Sequence, residues 1–91
     1  GDSYRYYIEE TVVSFTGGGV VILDNDYMPV VPSVTVTAET SLSWKVGDDT
    51  FRKTVSAGTW TFPEMELGRG ENTLTITGNG TTTFRYREGC L

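Results

Sequence analysis

Gly70-Glu71-Asn72-Thr73-Leu74-Thr75-Ile76-Thr77-Gly78-Asn79-Gly80-Thr81-Thr82-Thr83-Phe84-Arg85-Tyr86-Arg87-Glu88-Gly89-Cys90-Leu91 closes the chain, and its reading decides the fold. Leu74 and Ile76 alternate with Thr73, Thr75 and Thr77, the two-residue period of a strand with one buried face. Beyond Gly78-Asn79-Gly80, Thr82, Phe84 and Tyr86 alternate with Thr83, Arg85 and Arg87. Asn-Gly suits positive φ, which favours tight loops, so the stretch predicts a β-hairpin. A two-residue Asn79-Gly80 loop would pair Leu74 with Arg85 and mix apolar and charged side chains on one face. A three-residue loop pairs Leu74 with Phe84, Ile76 with Thr82, Thr73 with Arg85 and Glu71 with Arg87. The second register keeps the apolar face continuous. The Glu71–Arg87 pair adds only about 0.2–1 kcal/mol, whereas each large apolar side chain buried adds about 1.5–3 kcal/mol.

Upstream the same alternation recurs. Tyr4, Tyr6 and Ile8 share one parity and Val13 and Phe15 the other, which predicts a bulge or bend near Glu10–Val12 in an extended segment from Tyr4 to Phe15. Thr16-Gly17-Gly18-Gly19 is a turn. Val20-Val21-Ile22-Leu23 is a continuous apolar run, expected to be buried on both faces. Pro29 and Pro32 exclude a central strand from Tyr27 to Pro32, leaving an extended connector between sheets. Val34, Val36 and Ala38 alternate with Thr35 and Thr37, and Leu42, Trp44 and Val46 with Ser41, Ser43 and Lys45. A four-residue Gly47–Thr50 loop would pair Val46 with Phe51 and Leu42 with Val55, with Lys53 facing the same way as Trp44 at the sheet's edge. Trp60 and Phe62 alternate with Thr59 and Thr61, and Pro63 ends that strand. About eight short strands with frequent turns, and no helical periodicity, predict an all-β, antiparallel β-sandwich or jelly roll.

The 91 residues suffice for one domain with a modest core. A net charge of −5 argues against a nucleic-acid partner, which needs a basic face, and against docking on anionic lipid. No run approaches the roughly 20 apolar residues that span a bilayer. The first residue is Gly rather than Met, as expected of an excised or processed domain. Cys90 is the single cysteine, so no internal disulfide forms; this mildly favours assembly in a reducing cytoplasm.

The chain has no histidine. That removes the commonest general base, the Ser-His-Asp and Cys-His nucleophile systems and most zinc sites. Cys90 reads as an inert thiol, having neither a His partner nor a CxxC context. None of the twelve carboxylates is singled out as a glycosidase pair. Asp24-Asn25-Asp26 and Asp48-Asp49 offer oxygen ligands for Ca²⁺, but lack the EF-hand Gly and distal Glu and read as turns. Neither catalysis, a cofactor nor a metal is expected. Trp44 and Trp60 lie on apolar strand faces and are expected in the core. Tyr4, Tyr6, Tyr7 and Tyr27 remain as candidate contacts for a glycan or a protein, since exposed tyrosines serve either.

Asp26-Tyr27-Met28-Pro29-Val30-Val31-Pro32-Ser33-Val34, then Ser56-Ala57-Gly58-Thr59, then Leu67 to Thr81 with its Gly70-Glu71-Asn72-Thr73 stretch, follow one another in an order that resembles the C-terminal part of tail proteins from long-tailed phages and prophages of Gram-positive bacteria. The final Phe84 to Leu91 is similar to the way such chains end. The nearest group is the distal tail protein, or phage tail component, family, and the likeness covers residues 20–91. It implies a structural virion protein without catalysis, assembled in the bacterial host cytoplasm and carried in the tail. In that family an N-terminal domain builds a ring at the tail tip, and a galectin-like β-sandwich sits on its periphery. Residues 1–91 would then be a single sandwich from the C-terminal part of a longer protein. The implied partners are other tail and baseplate proteins, with homo-oligomers of the full-length chain. Two alternatives are a carbohydrate-binding module for host cell-wall glycans, suggested by the tyrosine-rich N-terminal segment, and a bacterial surface domain of immunoglobulin type.

Overall fold

A computed structural model describes residues 10–87. Eight strands follow in order: β1 (Glu10–Thr16), β2 (Gly19–Asn25), β3 (Ser33–Val36), β4 (Thr40–Val46), β5 (Asp49–Val55), β6 (Gly58–Thr61), β7 (Gly70–Gly78) and β8 (Thr81–Arg87). They form two four-stranded antiparallel sheets, ordered β1-β8-β3-β6 and β2-β7-β4-β5. Only β4 and β5 are both consecutive and adjacent; every other connection crosses from one sheet to the other. Two stacked sheets joined in this way are a jelly-roll sandwich. The immunoglobulin order, which places consecutive strands such as A–B and F–G side by side, is not adopted.

The alternation of Thr or Ser with apolar residues sets the two faces of each strand. Val34, Val36, Phe84 and Tyr86 from one sheet and Val21, Leu23, Leu42, Trp44, Leu74 and Ile76 from the other fill the interior. Phe62, Met65 and Leu67, from the segment between β6 and β7, close one end of it. Trp44 meets Phe51 edge-on, with ring centroids 6.0 Å apart and planes at 85°. Tyr86 Oη donates to Asp24 O (2.6 Å), tying the sheets together.

The terminal stretch is not a hairpin in either register. β7 lies between β2 and β4, and β8 lies between β1 and β3, so both are central strands of different sheets. Leu74 and Phe84 share the core from opposite sides rather than standing side by side. Glu71 stands opposite Asp24, and Arg87 opposite Glu10. None of residues 78–80 has positive φ. Gly80 serves instead for close approach: a Cβ there would lie 2.6 Å from Thr37 Oγ1 and 3.1 Å from Ala38 N. Thr81 N donates to Thr37 Oγ1 (2.8 Å), and Thr37 N to Thr81 O (3.1 Å), which clamps the arch against the β3–β4 connection.

The β4–β5 loop is Gly47-Asp48, two residues long, pairing Val46 with Asp49, Trp44 with Phe51, Leu42 with Lys53 and Thr40 with Val55. Gly47, at φ 65°, takes the first central position of a tight turn whose twist matches the strands. The register therefore differs by two residues from the four-residue expectation, which leaves every side chain on its expected face. Lys53 does lie on an edge strand, facing inward, with Nζ 3.8 Å from Glu64 Oε2.

Three further expectations are corrected. β1 pairs without interruption from Glu10↔Arg87 to Thr16↔Thr81, so no bulge lies in Glu10–Val12. Val20 and Ile22 are 58% and 50% exposed, because β2 is an edge strand whose outer face meets nothing among the described residues; only Val21 and Leu23 are buried. Trp60 is 37% exposed: it pairs with core-facing Val34, but β6 is the sheet's last strand and the ring lies at the sandwich's open side. Trp44 is in the core as expected.

Candidate functional site

Two buried or half-buried asparagines organise one end of the sandwich. Asn25, the last residue of β2, is fully buried. Its Nδ2 donates to Met28 O (2.8 Å) and Leu67 O (3.1 Å), and its Oδ1 accepts from Tyr27 N (3.2 Å). Asn72 Oδ1 accepts from Gly68 N (2.9 Å), while its Nδ2 donates to Gly68 O (2.9 Å) and Leu23 O (3.1 Å). Val30 and Leu67 exchange backbone hydrogen bonds of 3.1 and 2.7 Å. Trp44 Nε1 donates to Glu64 O (3.0 Å). The proline-bearing connector 26–32 and the segment 62–69 are thereby held rigidly although neither is a strand.

The tethered 62–69 segment creates a groove. β4 pairs with β7 only as far as Trp44↔Leu74, while β4 runs on to Val46 and β7 begins at Gly70. Met65-Glu66-Leu67 lies in the gap between the diverging strands. The resulting groove encloses about 380 Å³. Its polar lining comes from Ser43, Lys45, Thr50, Glu66, Glu71, Asn72, Thr73 and Thr75, and its apolar lining from Trp44, Met65, Leu67 and Leu74. Hydroxyls, two carboxylates and one ammonium suit a neutral, hydroxyl-rich ligand or a polar chain, which both donate and accept hydrogen bonds.

The outer faces carry a second kind of surface. Ser14, Thr83, Thr35 and Thr59 stand in one register row across the whole β1-β8-β3-β6 sheet. Ser14 Oγ lies 3.0 Å from Thr83 Oγ1, and Thr35 Oγ1 lies 2.9 Å from Thr59 Oγ1. On the other sheet Ser41 Oγ lies 2.7 Å from Thr54 Oγ1. β-Branched threonine favours strands, and these cross-strand hydroxyl pairs satisfy one another on a solvated face.

Of the tyrosines singled out from sequence, Tyr4, Tyr6 and Tyr7 lie outside the described residues, as does Cys90. Tyr27 is in the 26–32 connector and 48% exposed beside exposed Met28. Asp24-Asn25-Asp26 is not a cation loop: Asn25 is buried and its amide is wholly engaged with backbone groups. Among the described residues no three His, Cys, Asp or Glu side chains gather as a metal site. Sequence reasoning missed the groove, because it forms where two strands part and no local pattern marks that point. It also missed Asn25 and Asn72 as anchors. Their signal was an asparagine at a strand end and another within an apolar alternation, where a polar side chain must find partners.

No protein-family model matches the chain. No curated protein matches it either. Among solved structures, the chain is similar to a de novo designed double-stranded β-helix determined by solution NMR, at 16% identity and a TM-score of 0.48, covering 89% of this chain and 99% of that one.

Proposed function

We propose that this domain is a non-catalytic structural and interaction module of a phage or prophage tail protein, carried at the tail tip or baseplate and assembled in the bacterial cytoplasm. The observation that carries the reading is the ordered set of segments at 26–34, 56–59 and 67–81 that resembles distal tail proteins. Two of the three meet in space, where Val30 and Leu67 exchange backbone hydrogen bonds and Asn25 joins both. Those two segments therefore belong to one structural unit. Mass spectrometry of virions purified after prophage induction tests the reading, together with immunogold labelling by an antibody to the domain. The expected result is the parent protein in the particle and label at the tail tip; virions without it sink the proposal.

The groove between β4 and β7 favours a second reading, a carbohydrate-binding module for host cell-wall glycans. Its hydroxyl, carboxylate and ammonium lining matches sugar hydroxyls. Calorimetric titration with purified wall polysaccharide decides it: binding that Glu66→Ala and Lys45→Ala abolish supports the module, and no heat at millimolar ligand ends it.

A further inference from the structure

Among the described residues the sandwich has four edge strands, and they are not equally protected. β5 carries Arg52 and the inward-facing Lys53, a charge that blocks a further strand from joining. β6 is only four residues long and is followed at once by Phe62-Pro63. β1 begins with charged Glu10. β2 carries a single charge, Asp24, next to its last residue, and none of the other devices. From Thr16 to Leu23 there is no charge and no proline, and β2 is seven residues long. It also presents Val20 and Ile22, 58% and 50% exposed, on its outer face. Among the described residues no strand lies on its side away from β7.

We propose that β2 is a self-association edge, which pairs antiparallel with β2 of a second copy of this chain about a two-fold axis at Val21. The register follows from side-chain parity and charge. Centred on Val21, Val20 stands opposite Ile22 of the second copy and Ile22 opposite its Val20, which gives two β-branched pairs on the outer face. The only charged residue of β2, Asp24, then stands opposite Gly18 of the second copy. A register centred on Asp24 would instead set two carboxylates against each other. A second copy also fits because a two-fold contact needs only a self-complementary patch. The product is a continuous eight-stranded sheet, within the ordinary range.

One edge strand buries far less than the roughly 1,200–2,000 Å² of a stable interface. The association is accordingly weak in the isolated domain, and stronger wherever a larger assembly holds two copies close. It does not depend on the tail reading. Because each copy carries a net charge of −5, repulsion between copies opposes pairing, and added salt strengthens it.

Sedimentation velocity from micromolar to millimolar protein tests the proposal. The expected result is an average mass rising from 10.0 kDa towards twice that value, and rising further with salt. Ile22→Lys is expected to weaken association about tenfold or more, since each copy then sets an ammonium against the apolar pair. Val12→Lys, on the exposed face of β1, leaves it unchanged. Circular dichroism confirms that both variants fold. Hydrogen exchange gains protection at Val20–Asp24 as concentration rises. A constant monomer mass overturns the proposal, as does a dimer that survives Ile22→Lys or one that salt dissociates.

Discussion

Thr82 is 1% exposed, and its hydroxyl has no hydrogen-bond partner among the described residues. Its position is core-facing, between Val36 on β3 and Phe15 on β1 in the register. The residue type satisfies strand preference but leaves a polar atom in apolar surroundings, which costs about 1–3 kcal/mol. Thr82→Val is therefore expected to raise stability by about 1 kcal/mol, read as a higher urea midpoint with an unchanged slope. Asn25 shows the opposite balance. It is equally buried, but every polar atom of its side chain is used, with Met28 O, Leu67 O and Tyr27 N as partners. Asn25→Ala strands those backbone groups and is expected to cost about 2–4 kcal/mol in the same measurement. Asn25→Asp keeps the shape and removes both donors. An ionised carboxylate there would face two carbonyl oxygens, so burial and repulsion raise its folded pKa above the unfolded value. Its stability is then highest at acid pH and falls as pH rises through the folded pKa.

At the scale of elements, the connections carry more specification than the strands. Gly80 has an ordinary φ, yet a Cβ on it would press on Thr37 Oγ1 at 2.6 Å and Ala38 N at 3.1 Å. Gly80→Ala must push the β7–β8 arch off the β3–β4 connection, at about 1–3 kcal/mol, measurable as a lower thermal midpoint. The β2–β7 pair contains a local conflict, since Asp24 and Glu71 stand directly opposite on the exposed face. Like charges so placed destabilise a sheet, so Glu71→Lys is expected to gain about 0.2–1 kcal/mol, with the gain shrinking in high salt. Both effects were invisible in the sequence for one reason. Alternation tells which face of Leu74, Ile76, Phe84 and Tyr86 is buried, and that reading holds. The same parity arises whether β8 lies beside β7 or across the core from it, so alternation cannot choose a neighbour. The pairing of Glu71 with Arg87 failed with the hairpin on which it rested. By contrast the Gly47-Asp48 turn was legible, because glycine at the first central position of a two-residue loop is a local demand on φ, which the four-residue reading overlooked.

For the whole molecule, the jelly-roll order leaves β4–β5, among the described residues, as the one hydrogen-bonded strand pair joined by a short loop, while every other ladder unites distant parts of the chain. Strand count, the solvated threonine face and most core residues were readable from period and turns. The groove and the open β2 edge were not, because each depends on where a strand's neighbour stops or is missing. The same topology governs folding. Closing long loops costs entropy before non-local contacts offset it, so folding is expected in the millisecond-to-second range. The β4–β5 hairpin can form first, since Gly47 prepays its turn and Trp44 stands opposite Phe51. Gly47→Ala places a side chain at φ 65°, costing about 1–2 kcal/mol. If the hairpin belongs to the folding nucleus, this loss appears almost wholly as slower folding, with a φ-value near 1. Val36→Ala, on β3 between the late-joining β6 and β8, chiefly speeds unfolding. Stopped-flow chevrons of the two variants decide the order: a Gly47→Ala chevron altered only in its unfolding limb places the nucleus elsewhere, among the ladders that join the ends of the chain.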